Sequence, residues 1–386
     1  MENVLYWLWL TLKPRMTSTN ITHLLEHFET IQDIYETKEY KNIPSLTPGI
    51  IATLNDKSLD KAYEVYKRVE EIGAKILVFD DKDYPDMLRN IIDPPYVLYV
   101  KGEVLPWDRL FTIGVVGTRE CDGDGRMNTI NICRDLAKMG VTIVSGMARG
   151  IDGAAAEAAL RMGAKTIAVL GCGVDVVYPP EHDKLYESIL ANGAVISEYP
   201  PGMGVAPWTF PARNRIIAGL SRGVLVTQAP KRSGALITAR CAFENNRDVF
   251  AIPGSINDAN YVGCNQIIQS YAKLVMNACD VVNEYPYDVE RINLLKSEEN
   301  NTEEGSKKSS NTYVNSIKVS IDDKKYSTLK SKEKEIIKLL IEGNMHIDEI
   351  IRSTNIPAGE LNTMMVLLEM NGMVKKLPGN NYKLKL

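Results

Sequence analysis

The segment Phe111-Thr-Ile-Gly-Val-Val-Gly-Thr-Arg-Glu120 decides the fold class, because an apolar run of strand length ends there in a glycine-containing loop. The same order of strand, polar loop and amphipathic helix recurs up to about residue 271. The predicted strands are 111–116, 141–145, 166–170, 194–197, 223–227 and 249–252. The predicted helices are 125–139, 151–162, 183–191, 213–218, 235–244 and 265–271. Alternation of this kind indicates a parallel, doubly wound α/β sheet that binds its ligand beyond the carboxyl ends of the strands.

Different patterns flank this sheet domain, and they divide the chain into five parts. Residues 1–60 have the apolar spacing of a small helical module, including a helical stretch at 21–35. Residues 61–104 form an approach segment, with a helix at 59–72 and short strands at 74–79 and 94–102. The sheet domain covers 105–287. Residues 288–330 are polar and indicate a flexible linker. Residues 331–386 contain three amphipathic helical stretches and a hairpin with Gly379-Asn380 at its turn, the order of a winged helix.

Composition limits the class of protein. A length of 386 residues with 45% hydrophobic residues fits two or three packed domains, and a net charge of −4 requires any nucleic-acid affinity to come from a local patch. The six cysteines are widely spaced without a CxxC pair, so packed reduced thiols are expected rather than a metal site. The apolar start at 4–10 is too short to span a bilayer. We therefore expect a cytoplasmic protein that binds no metal and does not enter a membrane.

Glycine and arginine follow several of the predicted strands, where a phosphate could approach the backbone. Gly117 precedes Arg119, whose guanidinium can bind a phosphate in bidentate fashion. The segment 145–152 ends the second strand and opens a helix whose free N–H groups attract anions. Asp152 could instead cap that helix, and an exposed arginine at such a turn could simply be solvated.

The segment Phe210-Pro-Ala-Arg-Asn-Arg215 adds an aromatic ring for a base, two arginines for phosphates and an asparagine for a polar edge. Lys231 and Arg232 add positive charge after a later strand. The alternative is a basic surface strip, which convergence at several strand ends disfavours. The candidate DNA-binding residues are Gly117, Arg119, Gly146, Arg149, Gly150, Phe210, Arg213, Asn214, Arg215, Lys231, Arg232, Ser233, Gly234 and Arg240.

A nucleotide cofactor is not expected. Residues 171–182 start like a dinucleotide fingerprint but lack its third glycine, and no acidic residue is recognisable for a ribose. Asp175, Tyr178 and His182 in this segment could form a polar cluster, for which a structural role is favoured over catalysis. The chain has no GxxxxGK[ST] loop, so no motif supports ATP hydrolysis.

Six motifs occur in order: GxxGTR at 114–119, SGxAxGID at 145–152, GxGxDxxYPxxH at 171–182, FPxRNRxIxGLS at 210–221, SGxLITAxxA at 233–242 and FAIPG at 250–254. Their set resembles the DNA-processing protein A family, also called Smf. The resemblance implies an extended Rossmann-like sheet domain with an N-terminal module of the sterile-alpha-motif (SAM) type and a C-terminal winged helix. It also implies a non-enzymatic protein that binds and protects single-stranded DNA, helps to load the RecA recombinase during natural transformation, and dimerises through the sheet domain.

Carried onto this chain, the resemblance implies that Arg119 binds a phosphate and that residues 210–215 line the groove for the bases and the sugar-phosphate backbone of the DNA. It also implies that the DNA approaches the protein backbone closely at Gly146, Gly150, Ser233 and Gly234. Two departures stand out. Gln228 replaces a glutamate that the family often carries, and the third helical stretch of the tail, 358–371, contains acidic residues but no lysine or arginine. That stretch is a poor candidate to enter a major groove.

Two other functions remain open at this stage. Similar sheet domains occur in nucleotide phosphoribohydrolases of the lysine-decarboxylase-like group, but Cys241 stands where their catalytic glutamate would be, and Glu244 lies almost one turn farther on. A transcription regulator would use the winged helix, against which the acidic third stretch argues.

Overall fold

The computed structural model describes residues 2–40, 43–292, 331–341, 345–354, 356–371, 373–377 and 381–384. The chain divides into a first unit ending at Glu303 and a second unit beginning at Glu304. Most of the predicted linker, 293–330, and the predicted turn at Gly379-Asn380 lie outside the described residues.

The first unit begins with a helical module. Its helices are α1 (Glu2–Thr11), α2 (Ser18–His27), α3 (Ile31–Glu36), α4 (Pro48–Asn55) and α5 (Asp60–Glu71). The predicted stretch 21–35 is therefore two helices. The break occurs because Thr30 caps α3: its hydroxyl accepts from the Asp33 N–H, and the Asp33 carboxylate accepts from the Thr30 N–H.

A nine-stranded sheet forms the rest of the first unit. Its strands are β1 (Lys75–Val78), β2 (Val97–Gly102), β3 (Thr112–Val116), β4 (Thr142–Ser145), β5 (Thr166–Val169), β6 (Gly193–Ser197), β7 (Gly223–Val226), β8 (Asp248–Ala251) and β9 (Lys273–Leu274). They lie in the order β1-β2-β6-β5-β4-β3-β7-β8-β9. The strands from β3 to β9 are parallel, which confirms the predicted fold class, whereas β1 and β2 add an antiparallel edge next to β6.

Helices cover both faces of this sheet. They are α6 (Asp86–Arg89), α7 (Gly123–Lys138), α8 (Ile151–Leu160), α9 (Asp183–Ala191), α10 (Thr209–Gly219), α11 (Ala235–Glu244), α12 (Val262–Ser270) and α13 (Ala278–Val282), with 3₁₀ turns at Trp107–Arg109 and Pro180–His182. Every residue of β3, β4, β5, β6 and β7 is buried, as expected of strands covered on both sides.

The strand order changes direction at β3. From β3 the chain proceeds through β4 and β5 to β6 on one side, and α10 then carries it back to β7 on the other side. Loops therefore diverge between the carboxyl ends of β3 and β7. A crevice at such a switch point is the usual binding place in open α/β sheets.

The helical module and the antiparallel edge share one core. Trp7 of α1 stacks on Tyr96 just before β2, with ring centroids 5.6 Å apart and planes 9° apart. Tyr99 of β2 belongs to the same buried cluster. The predicted approach segment therefore contributes two strands to the sheet and the surface on which the helical module packs.

The second unit has winged-helix architecture, as the sequence predicted. Its elements are α14 (Ser331–Ile341), β10 (Met345–His346), α15 (Ile347–Thr354), α16 (Ala358–Met370), β11 (Val374–Leu377) and β12 (Asn381–Leu384). The strands form an antiparallel sheet in the order β10-β12-β11, and Ile336, Leu361 and Met365 lie in the core. No helix among the described residues of either unit is long and apolar enough to cross a bilayer.

Candidate nucleic-acid interface

A cavity of about 650 Å³ opens at the switch point. Five segments line it: the end of β3 with the loop after it, the loop before α8 with the start of that helix, the loop around Tyr178, the loop that leads into α10 with the first turns of that helix, and the loop between β7 and α11 with the first turn of α11. The sequence predicted a ligand site at this edge of the sheet, and this cavity lies there.

An arginine and two aromatic rings form one wall of the cavity. The guanidinium carbon of Arg119 lies 4.9 Å from the ring centroid of Phe210, within the range of a cation–π contact. The ring of Phe210 lies 5.5 Å from that of Tyr178 at 42°. Arg119 is exposed and forms no ion pair with any residue that the structure describes. Its guanidinium therefore remains available to a phosphate beside a surface on which a base can stack.

The loop before α11 contributes the opposite wall. Arg232 is exposed, lines the cavity, and has no carboxylate partner within the described part of the chain. Ser233 and Gly234 lie next to it, and no atom lies within 4 Å of the position that a Cβ on Gly234 would take. Since α11 begins at Ala235, its positive end faces the same region. This wall combines a free guanidinium with accessible backbone.

Arg213 and Asn214 lie deeper in the cavity than predicted. Arg213 is 4% exposed; its guanidinium donates to the carbonyl of Gly146 at 2.7 Å and also to the carbonyl of Val169. Burial lowers the pKa of Arg213, and the buried carboxylate of Asp152 opposes that shift. Asn214 is 9% exposed, and its amide donates to the Gly234 carbonyl at 3.4 Å. These two residues form the floor of the cavity, and their hydrogen bonds connect α10 to the neighbouring loops.

Arg215 does not lie in the cavity, contrary to the expectation that it would line the groove. It donates to Asp93 at 2.8 Å and to Glu198 at 2.6 Å, and its side chain is 13% exposed. The reason is that both arginines belong to α10, which spans Thr209–Gly219. Two residues apart on a helix differ by about 200° in direction, so Arg213 and Arg215 point to different sides of α10.

Gly146 and Gly150 allow other parts of the protein to pack closely against their backbone. A Cβ on Gly146 would lie 2.3 Å from a guanidinium nitrogen of Arg213, and a Cβ on Gly150 would lie 2.4 Å from the carbonyl oxygen of Thr118. Gly150 also has φ +72°. These glycines therefore let the loop of Arg119 and the floor arginine pack, and their predicted approach to DNA stays a prediction.

The remaining predicted residues surround the cavity. Arg149 is ion-paired with Glu181, which holds the pKa of that carboxyl at about 2. Arg240 pairs with Glu244 at 2.7 Å across one helical turn. Lys231 is exposed but does not line the cavity, whereas Gly117 does. The structure thus unites eight of the fourteen predicted residues in the cavity lining, namely Gly117, Arg119, Phe210, Arg213, Asn214, Arg232, Ser233 and Gly234.

Sequence reasoning missed Tyr178 and the apolar rim. Val205 and Ile237 line the cavity and are 42% and 41% exposed. Tyr178 was grouped with Asp175 and His182, but the three have separate partners. The ring of Tyr178 contacts that of Phe210 in a tilted arrangement, Asp175 accepts from the Gly202 N–H at 2.7 Å, and a ring nitrogen of His182 lies 3.0 Å from the Met147 carbonyl. The aromatic character of Tyr178 was the available signal.

Comparison with known proteins gives two family matches, one in the first unit of the chain and one in the second. Residues 75–286 match the family model for DNA recombination-mediator protein A, and residues 323–380 match that of the DprA winged helix domain. Protein Smf of Synechocystis is 33% identical, with 98% of each chain covered. DNA processing protein DprA of Streptococcus pneumoniae is 40% identical over 71% of this chain and 96% of its own.

Solved structures are also similar. The X-ray structure of DNA processing protein A from Streptococcus pneumoniae matches with a TM-score of 0.60 and 37% identity, covering 73% of this chain and 98% of that one. The protein from Helicobacter pylori, whose structure was described for its single-stranded DNA binding mode, matches with a TM-score of 0.50 and 31% identity, covering 55% and 94%.

Proposed function

This chain belongs to the DNA-processing protein A family, and from that premise we propose that it binds single-stranded DNA in the cavity at the switch point of its sheet. Arg119 and Arg232 bind phosphates, and the surface of Phe210 and Tyr178 stacks a base. The protein of Helicobacter pylori, known for single-stranded DNA binding, is a structural relative that supports this proposal.

The observation that carries the proposal is the presence of free cations and a partly exposed aromatic surface in one cavity. Exposed guanidinium groups without carboxylate partners bind phosphates, and a ring with an accessible face stacks any base. In a duplex the faces of the bases are already covered by their neighbours, so the aromatic wall favours unpaired strands. The ligand class is therefore single-stranded nucleic acid with little dependence on sequence.

We propose no catalytic role for this cavity. An enzyme acting on the glycosidic bond of a nucleotide would require an acid or base beside the substrate. Cys241 does not line the cavity, and burial raises the pKa of its thiol. Glu244 is bound to Arg240 on the surface of α11. Two other carboxylates do line the cavity: Glu120 is exposed, and the buried Asp152 accepts from the Gly146 N–H. Neither occupies the position of the phosphoribohydrolase glutamate, so the arrangement favours binding over that chemistry.

The test compares fluorescent oligo-dT with a duplex of equal length, titrated with the full chain at one fixed salt concentration. We expect tighter binding of the single strand. Equal or tighter binding of the duplex would overturn the proposal. A parallel incubation with nucleoside monophosphates measures free base, and its release by the protein would establish the enzymatic alternative instead.

We also propose that the DNA-bound protein helps to load the RecA recombinase, as the family membership implies, and that it acts in the cytoplasm. The measurement is ATP hydrolysis by RecA on single strands coated with single-strand binding protein, with and without this chain. Stimulation is expected, and it should be lost in a variant that no longer binds oligo-dT. An identical rate with and without the chain would remove this part of the proposal.

A homodimer through the sheet domain is proposed at the edge formed by β9. Among the described strands β9 pairs with β8 alone, and Leu274 and Met276 near its end are 42% and 74% exposed. An unpaired strand edge with apolar neighbours invites pairing with another strand. Light scattering of the wild type should give the mass of two chains, and Met276→Glu should shift it toward one. A monomeric wild type would exclude the dimer.

A further inference from the structure

We propose that Gln228 is a positioning residue for DNA binding: its side-chain amide clamps the loop that carries Arg119 by pairing with Asp122. This inference rests on the proposed function, because the loop matters through the phosphate contact of Arg119. Gln228 itself does not line the cavity and touches no ligand.

The clamp consists of three hydrogen bonds, in each of which Gln228 takes part. The backbone carbonyl of Gln228 accepts from the Thr118 N–H at 2.8 Å. Its side-chain Oε1 accepts from the Asp122 N–H at 3.2 Å, and its Nε2 donates to Asp122 Oδ2 at 2.7 Å. Arg119 lies between the two anchored residues. One residue at the end of β7 therefore fixes both ends of the arginine loop.

The site is built to hold this amide. Gln228 is completely buried, and a Cβ on Gly125 would lie 2.3 Å from its Oε1, so only glycine admits the side chain beneath the first turn of α7. Asp122 caps that helix by accepting from the Gly125 N–H at 2.7 Å, and it accepts from Asn260 at 3.1 Å. These N–H contacts, that of Gly125 first, lower the pKa of Asp122 despite burial.

Only a neutral group that both donates and accepts satisfies this geometry. A glutamate at 228 would still accept from the Asp122 N–H, but its second oxygen would face the carboxylate of Asp122. Two carboxylates in contact raise the pKa of the pair until they share one proton. Below that pKa a protonated glutamate can donate as the amide does, whereas above it the two charges repel and release the loop.

Among the residues that the structure describes, the other charged or titratable groups near the clamp lie on three segments. Glu120 and Cys121 precede Asp122 in the loop, Asp124 and Arg126 follow on α7, and Asp258 and Tyr261 belong to the segment that leads into α12. Burial raises the pKa of Cys121 and of Tyr261, so both are neutral in the range between about pH 5.5 and about pH 8. A pH effect specific to a glutamate at 228 is therefore assigned to its pairing with Asp122.

The experiment measures oligo-dT affinity of the full chain at fixed salt for the wild type, Gln228→Glu, Gln228→Leu and the double variant Asp122→Asn/Gln228→Glu. Relative to the wild type at the same pH, we expect Gln228→Glu to bind ~10-fold more weakly at about pH 8 and within ~3-fold at about pH 5.5. Gln228→Leu should be weak at both. The double variant, in which the amide and the carboxylate exchange places, should regain most of the affinity at both pH values.

A loss of affinity in Gln228→Glu that is equal at both pH values, or no loss at all, would overturn the inference. So would failure of the folded double variant to recover. If Gln228→Glu does not fold at about pH 8, recovery of folding and affinity in the double variant supports the pairing. Failure of the wild type to bind oligo-dT would instead refute the proposed function, and amide exchange at 118–122 then decides the clamp alone: faster exchange in Gln228→Glu supports it, and unchanged exchange refutes it.

Discussion

The mouth of the cavity and the surface around it are both rich in arginine, but they differ in whether those arginines are paired. At the mouth, Arg119 and Arg232 are exposed and bind no carboxylate among the described residues. Around it, Arg149, Arg215 and Arg240 each bind a glutamate. A paired arginine must give up its partner before it can bind a phosphate. The comparison therefore separates arginines that bind DNA from arginines that hold the fold.

The largest expected effect is on DNA binding when a mouth arginine is reversed. Arg119→Glu should weaken oligo-dT binding ~100-fold, about 2.7 kcal/mol, because it removes a charge-assisted phosphate contact and adds repulsion. Titration at fixed salt measures this. The control for charge reversal is Arg134→Glu, about three turns beyond the start of α7, where the arginine is half-buried and paired with Asp135. Equal affinities of the two variants would remove Arg119 from the site.

Arg215→Ala should instead lower stability. Removing the guanidinium leaves Glu198, only 16% exposed, and Asp93 without their cation, which should cost about 2–3 kcal/mol of unfolding free energy. Urea unfolding measures the loss. The folded fraction should bind oligo-dT within ~2-fold of the wild type. A large loss of affinity with unchanged stability would show that Arg215 contacts DNA after all.

The aromatic wall gives the next effect. Phe210→Ala should weaken oligo-dT binding ~10-fold, because one stacked base contributes about 1–3 kcal/mol and the ring also supports the guanidinium of Arg119. Phe210→Trp preserves a stacking face and should stay within ~3-fold. Fluorescence anisotropy distinguishes the two variants. If alanine binds as tightly as the wild type, base stacking at Phe210 is excluded.

The smallest effect is expected outside the mouth. Arg240 is 76% exposed and pairs with Glu244 one turn away, so Arg240→Ala should change unfolding free energy by less than ~0.5 kcal/mol and oligo-dT affinity by less than ~2-fold. Urea unfolding measures the free energy, and titration with oligo-dT at fixed salt measures the affinity. A loss comparable to that of Arg119→Glu would show that pairing does not exclude an arginine from binding.

The fold could be predicted because its signal is local. Buried strands such as β3 and β7 are continuous apolar runs, and helices such as α9 and α11 occupy the residues that their spacing predicted. By contrast, α10 begins four residues before the predicted start at residue 213 and includes Pro211 in its first turn. A proline is tolerated there because its missing N–H would have no intrahelical partner.

The site could be predicted only in part, because contacts between residues far apart in the sequence decide which arginines are free. Arg213 and Arg215 are equivalent in sequence, and what separates them is the direction of α10 and the partners of Arg215, 17 and 122 residues away. The contact between the rings of Tyr178 and Phe210 joins segments that a residue pattern does not connect. The sequence therefore indicated the correct edge of the sheet but not which of its arginines are free.

The most direct test of the central claim is the salt dependence of oligo-dT affinity. Each phosphate neutralised on a single strand contributes about 0.7 to the slope of log affinity against log salt concentration. If Arg119 and Arg232 each contact a phosphate, Arg119→Ala and Arg232→Ala should each reduce the slope by ~0.7, and the double variant by ~1.4. Slopes equal to that of the wild type would contradict direct phosphate contact at the cavity mouth.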